Sequence, residues 1–157
     1  MESKKLSMVV FSGDMDKVMA AFVIATGAAA SGMEVTMFFT FWGLKAIQSG
    51  AATGSSTFGR LLGLMNRGGL NRIGPSRLNM GGLGRWMFKR MIARHQVVTL
   101  PQLRQMAIDL GVHFWPCQMS MEVMEIGRES LIPEVQEPAG VAAFVEQAGR
   151  SQVTLFI

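Results

Sequence analysis

The sequence predicts an α/β fold, a three-layer α/β/α sandwich around a mostly parallel sheet of four to five strands. Short β-branched and aromatic runs alternate with stretches of helical periodicity, which is the pattern of βαβ units. One such run, residues 34–41, is apolar at nearly every position, as a strand covered on both faces should be. A length of 157 residues fits one domain, which we predict to extend over residues 1–157.

The first third of the chain has the pattern of a single βαβ unit. A β-rich run over residues 6–11 ends in a Ser-Gly-Asp turn, and a helix is predicted over residues 15–31 with Asp14 as its N-cap. Gly32 lies where a helix C-cap is expected. The aromatic strand described above comes next, and a shorter helix is predicted after it at about residues 42–49.

A basic, glycine-rich insertion is predicted at about residues 50–95. Gly-Ser and Gly-Gly sequences interrupt it, while residues 61–65 and 86–92 have the composition of short helices. The segment holds more large apolar side chains than a disordered linker normally does. We therefore expect it to carry some structure of its own.

The last third of the chain returns to alternating helices and strands. Thr99 and Gln102 match a capping box at the start of a helix that ends at Gly111. A strand over residues 112–116 follows, and Cys117 lies at its carboxyl end. The remaining predicted elements are helical turns over residues 120–124, a helix over 138–148 and a final strand over 153–157.

Composition indicates a globular protein. Hydrophobic residues make up 49% of the chain and charged residues 17%, which excludes the polar composition of disordered proteins. The N-terminal apolar run is too short for a secretory signal, and the longest uncharged apolar run, residues 18–33, is shorter than the roughly 20 residues of a membrane span. We therefore expect a soluble, cytoplasmic protein, and a single cysteine is compatible with a reducing compartment.

Charge is distributed unevenly along the chain. Between residues 35 and 108 there are ten Lys or Arg and no Asp or Glu, while the remainder holds five basic and eleven acidic residues. The ten basic residues are Lys45, Arg60, Arg67, Arg72, Arg77, Arg85, Lys89, Arg90, Arg94 and Arg104. Such a segment is expected to attract an acidic protein, an anionic ligand or, weakly, a membrane surface, although a solvated surface fits equally well. Nucleic-acid binding is not predicted, because no recognised motif accompanies the charge.

Cys117 is the residue with the clearest chemical potential. As the single cysteine it cannot close an intramolecular disulfide or form a four-cysteine zinc site, so any chemistry it performs uses one thiol. Its predicted position, between a strand and a helix start, favours the thiolate through the backbone N–H groups of the helix. The alternative is an inert cysteine that packs as a small hydrophobic residue.

The loops that follow the first, second and third predicted strands form the expected pocket. Ligands of parallel α/β sheets collect beyond the carboxyl ends of the strands, and these loops share that edge. The residues predicted to form the pocket around Cys117 are Ser12, Gly13, Asp14, Thr40, Trp42, Gly43, Met119 and Ser120.

Neither a metal nor a cofactor is predicted. Met119, Met121 and Met124 follow Cys117, and thioethers beside a thiolate suit Cu(I). The chain contains 14 methionines, however, and this residue commonly fills irregular core space, so packing is the better interpretation. No phosphate-binding loop, dinucleotide fingerprint, serine nucleophile elbow or zinc-protease motif is present.

Five segments resemble the DsrE/DsrF-like sulfur-carrier family, in the DsrE-related branch that also bears the name peroxiredoxin-like. They are VVFSGDMDK at residues 9–17, GMEVTMFFTFWGL at 32–44, LNMGG at 78–82, CQMSMEVM at 117–124 and AGVA at 139–142. The resemblance extends over nearly the whole chain. It implies a DsrE-like α/β fold and a persulfide-carrying cysteine at Cys117.

The resemblance further implies a homo-oligomer, or an assembly with related subunits, that exchanges sulfur with small sulfur-carrier or rhodanese-like proteins. The functional hypothesis is a sulfur-relay protein, a persulfide carrier of the sulfurtransferase type, that takes up a persulfide on Cys117 and passes it to an acceptor thiol. The alternative is a non-catalytic ligand-binding or regulatory subunit in which Cys117 is structural.

Overall fold

A computed structural model describes residues 4–157; Met1–Ser3, the first residues of the predicted domain, lie outside the described residues. The described chain contains a four-stranded sheet in which every pairing is parallel and the strand order is β3-β2-β1-β4. Its strands are β1 (Lys5–Val10), β2 (Glu34–Phe39), β3 (His113–Pro116) and β4 (Val153–Phe156). The predicted α/β class with a parallel sheet is confirmed, with four strands in the sheet.

Six α-helices and three short 3₁₀ segments connect the strands of the described chain. The helices are α1 (Met15–Ala30), α2 (Thr57–Met65), α3 (Leu83–Arg94), α4 (Leu100–Asp109), α5 (Gln118–Val123) and α6 (Val141–Gly149). The 3₁₀ segments are Phe41–Ile47, Met80–Gly82 and Arg128–Ser130. The element predicted as a helix at residues 42–49 is thus a 3₁₀ segment, and the predicted final helix begins three residues later than expected.

The ends of α1 and α4 follow from local sequence. Asp14 occupies the N-cap position of α1, but its carboxylate accepts hydrogen bonds from Ser12 and Lys17 instead of a helix N–H, which corrects its predicted capping role. At the start of α4 the Gln102 side-chain oxygen accepts from the Thr99 backbone N–H at 2.9 Å, as the capping box predicts. Gly111 follows α4 with φ +75°, a conformation that glycine adopts without strain.

One face of the sheet carries most of the core. Alternate residues of β1, β2 and β3 pack there against α1 and α4, and Phe22, Phe39 and Phe114 form edge-to-face and tilted ring contacts at its centre. Side chains alternate between faces along a strand, so the intervening residues point to the other side. Helices α1 and α4 lie on the same face because the connections β1–β2 and β2–β3 run in the same direction across the sheet.

The opposite face is covered by α6. The chain crosses from β3 at one edge to β4 at the other, and this reversal places the connecting helix on the second face. The register aligns Val9, Phe38 and Trp115 across this face, where Phe38 stacks on Phe144 of α6 at 4.6 Å between ring centroids. Below them Ser7 and Ser151 share a hydrogen bond of 2.8 Å.

The basic insertion forms α2 and α3 and lies against the carboxyl edge of the sheet. The Gly74 carbonyl accepts from the Met15 backbone N–H at 2.8 Å, and the Asp16 carboxylate accepts from the backbone N–H and hydroxyl of Ser76. These contacts attach the middle of the insertion to the first turn of α1. In the part of the chain that the structure describes, no helix has both the length and the apolar character needed to cross a membrane.

Candidate functional site

The loops after β1, β2 and β3 lie at one edge of the sheet, as predicted for parallel strands. Because the strand order is β3-β2-β1, these loops are also direct neighbours along that edge. Backbone hydrogen bonds connect them: the Thr40 N–H donates to the Val10 carbonyl at 3.0 Å, and the Cys117 N–H donates to the Phe39 carbonyl at 2.9 Å. The hydrogen bonding of the sheet therefore continues for one residue past the ends of β2 and β3.

The first two loops form a cavity of about 410 Å³. Its lining residues are Phe11, Ser12, Gly13, Asp14, Lys17, Trp42, Lys45 and Asn66. The Ser12 hydroxyl donates to the Asp14 carboxylate at 3.0 Å, and the Lys17 ammonium donates to the same carboxylate oxygen at 3.1 Å. The structure thus brings together four of the predicted pocket residues in a site whose charged groups are Asp14, Lys17 and Lys45.

Two glycines are required by the close approach of these loops. A Cβ atom on Gly13 would lie 2.5 Å from the Trp42 carbonyl oxygen, and one on Gly43 would collide with the Val10 carbonyl. Trp42 is 42% exposed, and the Lys45 ammonium lies 5.9 Å from the centre of its ring. Burial lowers the pKa of Lys45 below that of a free lysine, while the charge of Asp14 partly restores it.

Cys117 lies outside this cavity, on the face of the sheet that α6 covers. It is 4% exposed and packs with Phe38 and Phe144, flanked by Val9, Trp115, Ala139 and Ala148. The thiol therefore lies within an apolar cluster between the sheet and α6. The structure separates Cys117 from Ser12, Gly13, Asp14 and Trp42, which the sequence analysis assigned to one pocket.

The segment that leads into α6 forms the cover of Cys117. Ala139 pairs with Cys117 as a parallel bridge: the Ala139 N–H donates to the Pro116 carbonyl at 2.9 Å, and the Gln118 N–H donates to the Ala139 carbonyl at 3.1 Å. Helix α6 itself buries a single side chain, that of Phe144. The cover is therefore held mainly by one short backbone pairing and one aromatic ring, with the Ser7–Ser151 hydrogen bond and a contact of Gln147 with Thr36 beside them.

A second cavity, of about 460 Å³, lies beside this cover. Gln118, Met121 and Pro138 line it, together with a group of acidic side chains and with residues of the chain before α2. The acidic lining residues are Glu122, Glu125 and Glu129. The chain neighbours of Cys117 and Ala139, which are Gln118 and Pro138, therefore both line this cavity.

Glu125 is the most constrained of these carboxylates. It accepts hydrogen bonds from the backbone N–H groups of Ser55 and Ser56, at 2.6 and 2.8 Å, and from both serine hydroxyls. The hydroxyl and backbone of Ser56, followed by the donors of Ser55, lower the pKa of Glu125 to about 2. This carboxylate fixes the chain just before α2 against the end of α5.

The other predicted residues near Cys117 have different surroundings. Met119 is 55% exposed on α5, whereas Ser120 is fully buried and its hydroxyl has no hydrogen-bond partner within residues 4–157. Thr40 and Gly43 support the first cavity through their backbones without lining it. Among the same residues, no group of three or more His, Cys, Asp or Glu side chains is arranged to hold a metal ion.

Sequence reasoning missed Phe144, Ala139 and Glu125. The sequence around Phe144 has the pattern of a surface helix, and only the register of the sheet brings its ring onto Phe38. Glu125 is 69 and 70 residues from its serine partners, so no local pattern connects them. A Ser-Ser pair before an apolar helix was the one available signal, since serine is a common N-cap.

Comparison with known proteins identifies a family and two related chains. The profile of the DsrE/DsrF/DrsH-like family matches residues 2–156. The uncharacterized protein YrkE of Bacillus subtilis is 39% identical over 158 residues, and the match covers 99% of this chain and 98% of that protein. The sulfur carrier protein DsrE2 of Allochromatium vinosum is 31% identical over 161 residues, and the match covers 100% of both chains.

Two solved structures share the fold. The ychN protein from E. coli has a TM-score of 0.57 at 9% identity, with 98% of this chain and 99% of that chain covered. The protein MTH1491 from Methanobacterium thermoautotrophicum has a TM-score of 0.56, also at 9% identity, with 99% and 100% covered. At such low identity the likeness concerns the arrangement of helices and strands alone.

Proposed function

The chain belongs to the DsrE/DsrF/DrsH-like family, and from this membership we propose that it works in sulfur relay, carrying sulfur as a persulfide on Cys117. Family membership and the 31% identity to a protein named as a sulfur carrier, over the full length of both chains, support a role in sulfur relay in general. The single observation that supports Cys117 as the carrier is that the one thiol of the sequence lies at the carboxyl end of β3.

The proposed reaction is a pair of thiol exchanges. The Cys117 thiolate attacks the outer sulfur of a donor persulfide; the donor S–S bond breaks, the donor leaves as a thiolate, and Cys117–S–SH forms. An acceptor thiolate then attacks that outer sulfur and releases the Cys117 thiolate. Both steps conserve sulfur and charge and need no external oxidant or reductant, and their rates depend on thiolate fraction and access.

Access to Cys117 requires α6 to move. The thiol is 4% exposed, so a donor reaches it only when the Cys117–Ala139 pairing opens and the Phe144 ring leaves Phe38. Elements with few buried contacts open most readily, and α6 contributes one buried side chain. The cavity lined by Gln118 and Pro138 gives the incoming donor a place beside this opening.

The proposed partners are small sulfur-carrier or rhodanese-like proteins, together with further copies of this chain. Apolar side chains exposed around α6 support assembly: Phe156 of the edge strand β4 is 72% exposed and stacks on Phe11, and Val141 and Val145 point outward from α6. An unpaired parallel edge strand with such side chains favours association. The 157 residues are proposed to act as one domain.

The alternative function is a non-catalytic regulatory or ligand-binding subunit. The observation that favours it is the burial of Cys117 against the rings of Phe38 and Phe144, an environment typical of an inert cysteine. In that case the cavity at Ser12, Asp14 and Trp42 is the binding site, and replacing Cys117 leaves the function intact.

Persulfide loading of the purified protein distinguishes the two functions. We expect intact-mass spectrometry, after incubation with a persulfide donor, to detect one added sulfur atom on the wild-type chain, with the modified peptide containing Cys117. The Cys117→Ser variant is the matched control and should gain nothing. Loading at an equal level in that variant, or none in the wild type, contradicts the sulfur-relay proposal.

A further inference from the structure

We propose that the insertion formed by α2 and α3 is a docking surface for an anionic lipid membrane, which the protein contacts from one side without crossing. The observation behind the proposal is that two helices of this segment direct large apolar side chains into solvent. The proposal concerns a surface distinct from Cys117 and its cover, and it holds or fails independently of sulfur transfer.

Helix α2 packs with its small residues inward and its large residues outward. Gly59 and Gly63 are its buried residues, and a Cβ atom on Gly63 would lie 2.6 Å from the Thr53 hydroxyl oxygen, so nothing larger fits at this contact. Leu62 is 37% exposed, and the other four large apolar side chains of α2 point away from the protein, with exposed fractions from 54% to 85%. They are Phe58, Leu61, Leu64 and Met65.

Helix α3 has no buried residue along its 12 positions. The side chains of Leu83, Trp86, Met87 and Met91 are all more than half exposed. Two basic side chains attach the helix to the chain before it: Arg85 donates to the Arg72 carbonyl at 2.7 Å, and Lys89 donates to the Asn71 carbonyl at 3.0 Å. Phe88 is partly buried and packs against the core cluster. A helix of a soluble protein normally buries an apolar stripe, and the other large apolar side chains of α3 are left exposed.

The positive charge of the insertion indicates which kind of partner binds this surface. Residues 57–94 contain eight Lys or Arg and no Asp or Glu. A second copy that presented the same surface would bring equal positive charges together, which is unfavourable at close range. Asp16 is the carboxylate that lines the groove beside α3, and it is already engaged by Ser76. The occupant is therefore expected to be anionic and to accept apolar side chains.

An anionic membrane surface meets both requirements. Interfacial helices carry Trp, Phe and Leu that enter the boundary between headgroups and acyl chains, while Lys and Arg contact the lipid phosphates. The exposed apolar side chains of α2 and α3 can all enter a lipid surface, because that surface deforms around them. An acidic protein would need a complementary apolar pocket for each of these side chains. The Arg90 guanidinium, 5.8 Å from the centre of the Trp86 ring, places a cation beside the largest of these apolar groups.

Vesicle flotation tests the proposal with the full-length protein. We expect the chain to float with vesicles of phosphatidylcholine and phosphatidylglycerol and to remain in solution with vesicles of phosphatidylcholine alone. Raising the ionic strength from about 0.1 M to about 1 M shortens the Debye length from about 10 Å to about 3 Å and should release most of the bound protein. Equal binding to both kinds of vesicle, or to neither, overturns the proposal.

Two pairs of substitutions separate the apolar and the charged contributions. Trp86→Ser with Met91→Ser removes exposed apolar groups and keeps every charge, and Arg90→Glu with Arg94→Glu reverses two charges; we expect each pair to lower binding by more than about tenfold. The matched controls lie outside the insertion: Val23→Ser on α1 with Met106→Ser on α4, both exposed apolar side chains, and Arg150→Glu after α6 should bind as the wild type does. Controls that lose binding equally contradict the assignment to α2 and α3.

The other two occupants give distinct results. If the Trp86/Met91 variant converts a dimer to a monomer in analytical ultracentrifugation while vesicle binding stays absent, the surface is an interface between copies and the lipid proposal is wrong. An acidic polypeptide such as polyglutamate that binds as tightly as the anionic vesicles, with no effect of the Trp86/Met91 substitutions, also overturns it. Persulfide loading in solution, measured on the same variants, should equal that of the wild type.

Discussion

The two faces of the sheet differ in how firmly they are covered. On the α1/α4 face, aromatic residues from three elements meet, and most of the large core cluster packs there. On the α6 face the buried cluster consists of Phe38, Cys117 and Phe144. The single thiol therefore lies in the layer of the protein that has the least material over it.

This difference explains how a buried Cys117 could still react with a persulfide donor. A thiol on the α1/α4 face would become accessible only when the domain unfolds, because its cover is the main core. On the α6 face, local opening of one helix suffices, and elements with few buried contacts open at a fraction of the global free energy of unfolding. The same burial of Cys117 thus has different consequences on the two faces, and the difference can be measured.

The largest effect should come from the α1/α4 face. Phe114 of β3 is fully buried and contacts the rings of Phe22 and Phe39, so Phe114→Ala leaves a cavity that neighbouring rings cannot fill. We expect a loss of about 3–5 kcal/mol in the free energy of unfolding, measured by urea denaturation. A loss below about 1 kcal/mol would mean that this face is not the main core.

Phe144→Ala should lower the stability less than Phe114→Ala does, and yet expose Cys117 more. The ring is 7% exposed but has one aromatic contact, with Phe38, in a small cluster, so its loss should lower the free energy of unfolding by about 3 kcal/mol, the low end of the range for a buried Phe. Because it weakens the only buried anchor of α6, we expect alkylation of Cys117 to accelerate by more than about tenfold. The rate is measured with a maleimide under conditions where the protein stays folded.

The matched control for this variant is Phe114→Ala, studied at a denaturant concentration where it remains native. If alkylation follows α6 opening, Phe144→Ala should be the faster of the two although it is the more stable. If the rates follow global stability instead, Cys117 reacts only on unfolding, and the inert, structural interpretation is correct.

The sequence predicted the frame of the fold because that frame depends on local patterns. The alternation of aromatic strands and Ala-rich helix fixed β1, α1 and β2, and the Thr99–Gln102 pattern located the start of α4 to the residue. The placement of Cys117 at the end of β3 followed in the same way. These features are decided by periodicity, capping and turn chemistry, all of which act over a few residues.

The sequence could not predict which residues share a site. Cys117 follows its strand by a single residue, and the pleat turns it to the α6 face, while Ser12 and Trp42 meet over the neighbouring loops. The 3₁₀ geometry after β2 arises where Gly43 passes close to the Val10 carbonyl, a contact between two loops. Such features depend on register and on chain crossings, which no short segment specifies.

The smallest effect should be a local one, at the junction between the insertion and the sheet. The pKa of Glu125 is lowered from 4.5 to about 2 by the donors of Ser56 and Ser55, so the carboxylate contributes to the attachment of α2 in full above pH 4.5. This contribution is lost as the pH falls from about 4.5 through about 2, since the proton binds more tightly once α2 is detached. The protection of the α2 amides from hydrogen exchange, relative to the intrinsic rate at each pH, should therefore fall in this window while that of the α1 amides does not.

Glu125→Gln tests this at neutral pH, because the amide keeps the shape but presents an NH₂ group to donors of the two serines. We expect α2 to exchange faster in this variant and to lose its pH dependence between about 4.5 and 2. Glu122→Gln is the matched control, since that carboxylate accepts from Gln118 on its own helix at 3.1 Å and should leave α2 unchanged. Unchanged α2 exchange in Glu125→Gln would mean that the glycine contacts alone hold this helix, and that the carboxylate adds nothing to the attachment of the insertion.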